Sequence, residues 1–285
     1  MTAKNYYEKV TIVGVGLMGG SLGMALKAGG LAKEVVGWGR NQGRLDEAAG
    51  LGAIDRGTRD RDEALAGCQL LVFATPGEVA GRLAAEWFPA APPGCRITDL
   101  VSVKGKLVET LTGLTPPRCS YVSSHPLCGS ERTGVSAARP DLYQNQLCLI
   151  TPVAGTKKTA LSGIQKLWQA LGMTVISMAP ARHDRVVAAV SHLPHLAAAA
   201  LVNQIGDEKL LRFGGTGLRD TTRIAGASPS LWAEIVSANR REILAQIDGL
   251  MENLMLAQQH VKSGDPARIG QWLRKAALRR KKLDN

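Results

Sequence analysis

Residues 10–13 form an apolar run that breaks directly into Gly14-Val-Gly16-Leu-Met-Gly19, and residues 17–28 after it read as a helix. A strand, a G-x-G-x-x-G turn and a helix in that order constrain this chain more than any other feature. Gly14 permits the tight turn, Gly16 lets a ligand's pyrophosphate approach the backbone, and Gly19 lets helix and strand pack closely, while the free N–H groups of the helix start face the anion. The pattern predicts a dinucleotide cradle formed by Gly14, Gly16, Leu17, Met18 and Gly19. Thr75, just past the apolar run at 70–74, is a further expected contact.

The same rhythm continues. Short apolar runs recur at 35–38, 70–74, 96–100, 121–123, 147–151 and 174–178, with helical or mixed stretches between them. Strands alternating with helices predict an α/β Rossmann-type, doubly wound domain over residues 1–180, with a mostly parallel sheet covered on both faces. The rhythm changes at Pro180. Residues 181–204, 230–262 and 267–281 read as helices separated by a glycine-rich stretch at 213–228, which predicts an all-α second domain over 181–285. A length of 285 residues suits these two units, and no third is expected.

Charge narrows the partners. The formal net charge is +11, a balance that suits nucleic acid, anionic membranes or small anionic ligands. From Arg274 onward there are six basic residues against Asp284 alone, a run read as a solvated terminus that suits a helix dipole. No nucleic-acid partner is therefore expected. The first residues lack a signal-peptide pattern, and no stretch has the roughly 18 to 20 consecutive apolar residues of a membrane helix. The five cysteines are scattered and never paired as C-x-x-C, so a cytoplasmic protein with reduced thiols and no membrane partner is expected.

The second strand is followed by Gly39-Arg40-Asn41, where an NAD-preferring site would carry an Asp or Glu for the ribose 2'-hydroxyl. Without that carboxylate there is room for a 2'-phosphate, and Arg40 supplies a planar charged fork to hold it. NADP is thus expected as the preferred cofactor, with NAD possible. The alternative is that Arg40 only faces solvent.

Two polar stretches fall at strand ends, where a doubly wound sheet places its ligands: TDLVSVK at 98–104 and SHPLCGSERTG at 124–134. His125 follows an apolar strand and precedes Pro126 and a loop of small residues, a place that favours chemistry over packing. Farther on lie SHLPH at 191–195 and RDTTRIA at 219–225. His192 reads as a helix-packing residue. A metal pair of His192 and His195 is disfavoured by Pro194 between them and by the lack of an adjacent carboxylate or cysteine cluster, so no metal site is expected.

Taken together and in this order, GVGLMGGS, TDLVSVK, SHPLCGSERTG, SHLPH and LRDTTRIAGASPSLW resemble the prephenate and arogenate dehydrogenase family of tyrosine biosynthesis, over nearly the whole chain. The glycine loop is shared by many dehydrogenases, whereas the SHLPH and RDTTRIA pair is far more specific. The resemblance implies a Rossmann-type domain followed by an all-α C-terminal dimerisation domain, a homodimer, and hydride transfer from C4 of a cyclohexadiene to a nicotinamide with loss of CO2. It implies His125 as acceptor of the 4-hydroxyl proton, with Ser102 orienting His125 and that hydroxyl. Arg223 is implied to bind a substrate carboxylate, His195 to line the side-chain end of the pocket, and Glu131 to pair with Arg223 and control access. Trp232 reads either as a pocket cap or as core. Cys128 stands where a small alanine-like residue is expected.

Two rivals remain. Another Rossmann-fold small-acid dehydrogenase would call for a lysine early in the helical domain, and residues 181–204 contain none. A silent NADP-binding or nucleic-acid-binding module would not need His125, Ser102 and Arg223 together.

Overall fold

A computed structural model describes residues 7–129 and 132–283. Six strands, β1 (Tyr7–Val13), β2 (Ala32–Trp38), β3 (Arg56–Thr58), β4 (Leu70–Phe73), β5 (Arg96–Asp99) and β6 (Ser120–Tyr121), form one sheet in the order β3-β2-β1-β4-β5-β6. Every pairing in it is parallel. The reversal of strand order between β1 and β4 opens a crevice at the strands' carboxyl ends, where doubly wound folds bind ligands. This bears out the predicted fold class.

Alternation decides which side chain goes where. Along β1, Ile12 enters one apolar cluster and Val13 the other; along β4, Leu70 and Val72 enter the first while Leu71 and Phe73 enter the second. With both faces buried, these strands read as unbroken apolar runs rather than alternating ones. On the first face lies α1 (Leu17–Ala28); on the second lies α4 (Gly77–Ala90), which brings Trp87 and Phe88 against Phe73. Between these elements, α2 (Gln42–Gly50) is capped by Asn41 and α3 (Arg61–Leu65) by Asp60, whose side chains accept backbone N–H bonds of the first turn.

The sequence-based expectation of one continuous series of strands is corrected here. The run at 121–123 splits at Val122, leaving β6 in the parallel sheet and β7 (Ser123–Leu127) in a second, three-stranded sheet of order β7-β8-β9. In it β8 (Leu147–Thr151) runs antiparallel to β7 and β9 (Thr174–Ser177) parallel to β8. His125 accordingly lies inside β7, paired with Leu149, rather than after a strand. After β5 the chain forms α5 (Gly105–Leu114), and α6 (Lys158–Ala170) precedes β9.

From Pro180 onward the described residues form helices and short connections, with no strand among them: α7 (Pro180–Val187), one wide π-type turn at Ala188–His192, α8 (Leu193–Asn203), α9 (Thr216–Thr222), α10 (Pro229–Ala238), α11 (Arg240–Ser263) and α12 (Pro266–Arg280), with short 3-10 turns between and after them. The helix expected over 230–262 is broken at Asn239, whose amide is drawn inward to two acceptors. The wide turn just precedes Pro194, which has no N–H to donate to the turn before it. One helix, Pro180–Asn203, is long and apolar enough to cross a membrane by length and composition. It also carries His183, Asp184, His192 and His195 and packs against α11.

Candidate active site

The cofactor cradle is shaped by what its glycines exclude. Gly14 sits at φ +96°, and a Cβ there would lie 2.7 Å from Thr75 Cγ2; a Cβ on Gly19 would lie 2.1 Å from the Gly14 carbonyl oxygen. Over Gly16 a Cβ would meet nothing within 4 Å, so the space above the loop is open. Helix α1 begins without a side-chain cap, and the first amide bonded within it is that of Gly20, which leaves the N–H groups of Leu17, Met18 and Gly19 unspent. The side chains of Leu17 and Met18 pack against the core instead. Thr75 Oγ1 is buried without a hydrogen-bond partner beside this loop. An open, uncapped helix start flanked by an orphaned hydroxyl fits the pyrophosphate of a dinucleotide. Arg40 is exposed just past β2, immediately before the residue that caps α2.

His125 is 8 % exposed. Its Nδ1 lies 2.9 Å from His183 Nε2, and His183 Nδ1 lies 2.8 Å from Asp184 Oδ1. A carboxylate only accepts, so His183 donates from Nδ1; its Nε2 is then bare and accepts from Nδ1–H of His125. The nitrogen of His125 left with a lone pair is Nε2. Asp184 is itself fixed by the backbone N–H groups of Lys104 and Gly105, at 2.9 and 2.7 Å, at the start of α5. Hydrogen bonds from His183, Lys104 and Gly105 hold its carboxyl below the usual range against the opposing effect of burial. Burial, followed by the neighbouring His183, Lys104 and His192, pushes the His125 imidazolium well below its ordinary value, so His125 is neutral at pH 7.

Beneath this chain lies a buried ion pair. Lys104 Nζ is 2.5 Å from Asp99 Oδ1 and donates to the Ser124 carbonyl at 2.7 Å, with both side chains fully buried. Tyr121 donates its hydroxyl to the other oxygen of Asp99 at 2.7 Å, and Ser124 Oγ lies 2.9 Å from Thr98 Oγ1. These contacts tie the ends of β5 and β6 to β7, and so fix the strand that bears His125.

The helical region supplies a second wall. The His195 ring stacks on Trp232, with centroids 3.6 Å apart, and donates from Nδ1 to the Ser191 carbonyl at 2.9 Å, which leaves Nε2 as an acceptor. Trp232 also meets His192 edge-on, so its ring is a wall shared by two histidines. His192 is buried and accepts at Nδ1 from the Asn239 amide, 3.1 Å away; burial lowers its pKa to about 4. The Arg223 guanidinium is close enough to disfavour the His195 imidazolium, an effect smaller than that of burial. Ser102 is half-buried on the loop between β5 and α5 and makes no side-chain hydrogen bond to another described residue. Glu131 lies outside the described residues. The Cys128 thiol is half-buried and pushed up to about 12 by burial, so it behaves as a small apolar group.

Sequence reasoning missed His183, Asp184 and Asn239. The only signal was composition: His183-Asp184 is an acid and a histidine side by side at the start of a helix, just past the change of rhythm.

Comparison with known proteins places the chain in a family. Residues 22–177 match the family model "Prephenate dehydrogenase, nucleotide-binding domain", and residues 179–275 match "Prephenate dehydrogenase, dimerization domain". The prephenate dehydrogenase of Bacillus subtilis is 30% identical over 278 residues, covering 94% of this chain and 74% of that protein. The cyclohexadienyl dehydrogenase of Zymomonas mobilis is 31% identical over 265 residues, covering 91% and 90%. Among solved structures, prephenate dehydrogenase from A. aeolicus, in complex with hydroxyphenyl propionate and NAD+, superposes with a TM-score of 0.90 at 29% identity over 97% of this chain and 98% of that one. Synechocystis arogenate dehydrogenase gives a TM-score of 0.83 at 25% identity over 96% and 99%. With family matches that together span most of the chain, and a histidine chain seated where their two segments meet, this protein belongs to the prephenate dehydrogenase family.

Proposed function

We propose that this chain carries out the NAD(P)-dependent oxidative decarboxylation of prephenate, arogenate or both. The observation that carries this is the neutral His125, with its Nε2 lone pair held ready by His183 and Asp184. When bound, the dinucleotide supplies the acceptor for the C4 hydride. His125 Nε2 takes the 4-hydroxyl proton as the hydride leaves; loss of the ring carboxylate as CO2 then makes the ring aromatic, and the phenolate oxygen takes the proton back. A neutral imidazole suits both transfers.

Ser102 orients the hydroxyl between itself and His125. Arg223 binds a substrate carboxylate as a bidentate fork, with Glu131 as its partner at the entrance. His195, locked flat on Trp232, offers an acceptor nitrogen to the side-chain end of the substrate. Steady-state kinetics with prephenate and arogenate, each with NAD and NADP, tests the reading; turnover of neither substrate sinks it.

NADP is the preferred cofactor in this reading, because no carboxylate stands between Gly37 and Asn41 and Arg40 is exposed beside the start of α2. A charged hydrogen bond to a phosphate is worth about 1.5–3 kcal/mol, so Arg40→Ser is expected to lower kcat/KM for NADP by roughly 10- to 100-fold and to leave that for NAD nearly unchanged. Equal losses with the two cofactors contradict the assignment.

The working unit is a homodimer of two-domain chains, divided near residue 180, in the cytoplasm, with no nucleic-acid or membrane partner. Helix α11 runs for 24 residues, yet only Ile243 is buried along it; Met251, Leu254, Met255 and Val261 are each more than half exposed. An apolar face of that length is unstable in water without a cover. Sedimentation is expected to give twice the 30.2 kDa chain mass at micromolar concentration, and a monomer contradicts the proposal.

A further inference from the structure

We propose that His183 takes up the Nδ1 hydrogen of His125 as His125 Nε2 takes the substrate's proton, so that the positive charge rests on His183 during the reaction, with Asp184 as its anchor. This rests on the reading of the activity given above. In the resting chain His125 carries its hydrogen on Nδ1, 2.9 Å from the bare Nε2 of His183. As the O–H bond of the substrate breaks and a bond to His125 Nε2 forms, the Nδ1–H bond of His125 breaks and the hydrogen joins His183 Nε2. His183 is then an imidazolium with Asp184 2.8 Å from its other nitrogen. When the ring becomes aromatic the two transfers reverse and the phenolate oxygen regains the proton. No proton is gained or lost over the cycle, and no reagent beyond the substrate and the dinucleotide is needed.

The surrounding charges favour His183 over His125 as the resting place. Among the described residues His125 on β7 has no carboxylate partner, and His183, Lys104 and His192 all disfavour its charged form. His183 on α7 faces His125 from β7, Lys104 at the start of α5 and His192 from the wide turn, but of the two rings it is the one that touches a carboxylate among the described residues, Asp184, and Asp99 adds a weaker attraction. Burial disfavours charge on either ring, and only His183 has hydrogen-bonded compensation. Asp184 does not take the proton itself, because the two amides of α5 and Nδ1–H of His183 already occupy its oxygens. Its role is to hold the ring next to it.

In this scheme His183 is a positioning residue that acts through His125, and its loss changes proton motion and leaves substrate contacts in place. His183→Gln accepts the hydrogen bond from His125 and cannot accept a proton. It is expected to lower kcat by about 100-fold or more, within the range of lost acid–base catalysis, with KM and dinucleotide affinity changed by no more than a few-fold. The proton inventory of kcat in mixtures of H2O and D2O, with the chemical step isolated in single turnovers, is expected to be curved for the native chain, where two hydrogens move together, and linear for the variant. Native kcat in His183→Gln, or a linear native inventory, overturns the proposal. Histidine 15N spectra of the native chain supply a readout independent of turnover: on acidification His183 should take the first proton and His125 the second. The reverse order overturns the relay even if the enzyme is active. A native chain inactive on both substrates removes the functional reading, and the order of titration then decides the relay by itself.

Discussion

Replacing His125 with Asn is expected to leave prephenate or arogenate binding within a few-fold of native and to lower kcat by roughly 10²- to 10⁴-fold, the usual worth of a positioned general base. The asparagine side chain keeps a donor toward His183 and loses the basic nitrogen. Near-native turnover would refute the role. The pH profile carries a second signature. Because burial and then His183, Lys104 and His192 hold the His125 imidazolium well below its ordinary value, the native rate should stay flat as pH falls through about 6.5, where a free histidine would titrate. Stability should behave differently. A histidine whose folded pKa is depressed favours the fold above its unfolded value, and that contribution is lost as pH falls from about 6.5 toward the folded value. His125, His183 and His192 are all depressed, His192 to about 4, so acid unfolding should steepen below neutrality. A urea midpoint that does not change between pH 7 and pH 5 contradicts this.

The second large effect concerns Lys104. Removing one partner of a fully buried, hydrogen-bonded ion pair strands the other charge, and Lys104→Met is expected to cost about 3–5 kcal/mol of unfolding free energy. That is a large share of the roughly 5–15 kcal/mol that holds a typical domain folded. Among the described residues Asp99 then retains only the Tyr121 hydroxyl and the Val101 amide as donors. Substituting Leu for Asp99 in the same chain should recover part of the loss, because a buried pair replaced on both sides leaves no stranded charge. Urea unfolding of the native, single and double variants tests the coupling, and a double variant less stable than the single refutes it. Lys104 also disfavours the charged form of His125, so where the single variant stays folded the acid limb of its rate profile should move toward higher pH.

Much of the fold was legible because its determinants are local. The glycine loop, the apolar runs and the change at Pro180 depend on residues close together in the chain, and the doubly wound sheet followed from them. The departure of β7 into a second sheet did not, since pairing is a matter of partners far apart: Ser123 meets Thr151 and Leu147 meets Thr174. The break at Asn239 carried no glycine or proline, and it exists because Asp184 O and His192 Nδ1 supply acceptors for that one amide. The site shows the same division. His125 was singled out by its place beside an apolar run and by the family resemblance, whereas His183 and Asp184 read as ordinary helix residues until the fold brought them to a ring 58 residues away. Cradle contacts at Leu17 and Met18 were expected, but only their amides remain available; their side chains belong to the core.

The position of Asp184 limits how freely the two halves can be exchanged among relatives. Its oxygens staple α7 to the first amides of α5 while orienting His183, so His125 on β7, the proposed base, takes its tautomer from a residue beyond the change of rhythm. A chimaera that joins this nucleotide-binding half to a foreign helical half can bind its cofactor and still present the wrong nitrogen of His125. Modularity here ends at the proton.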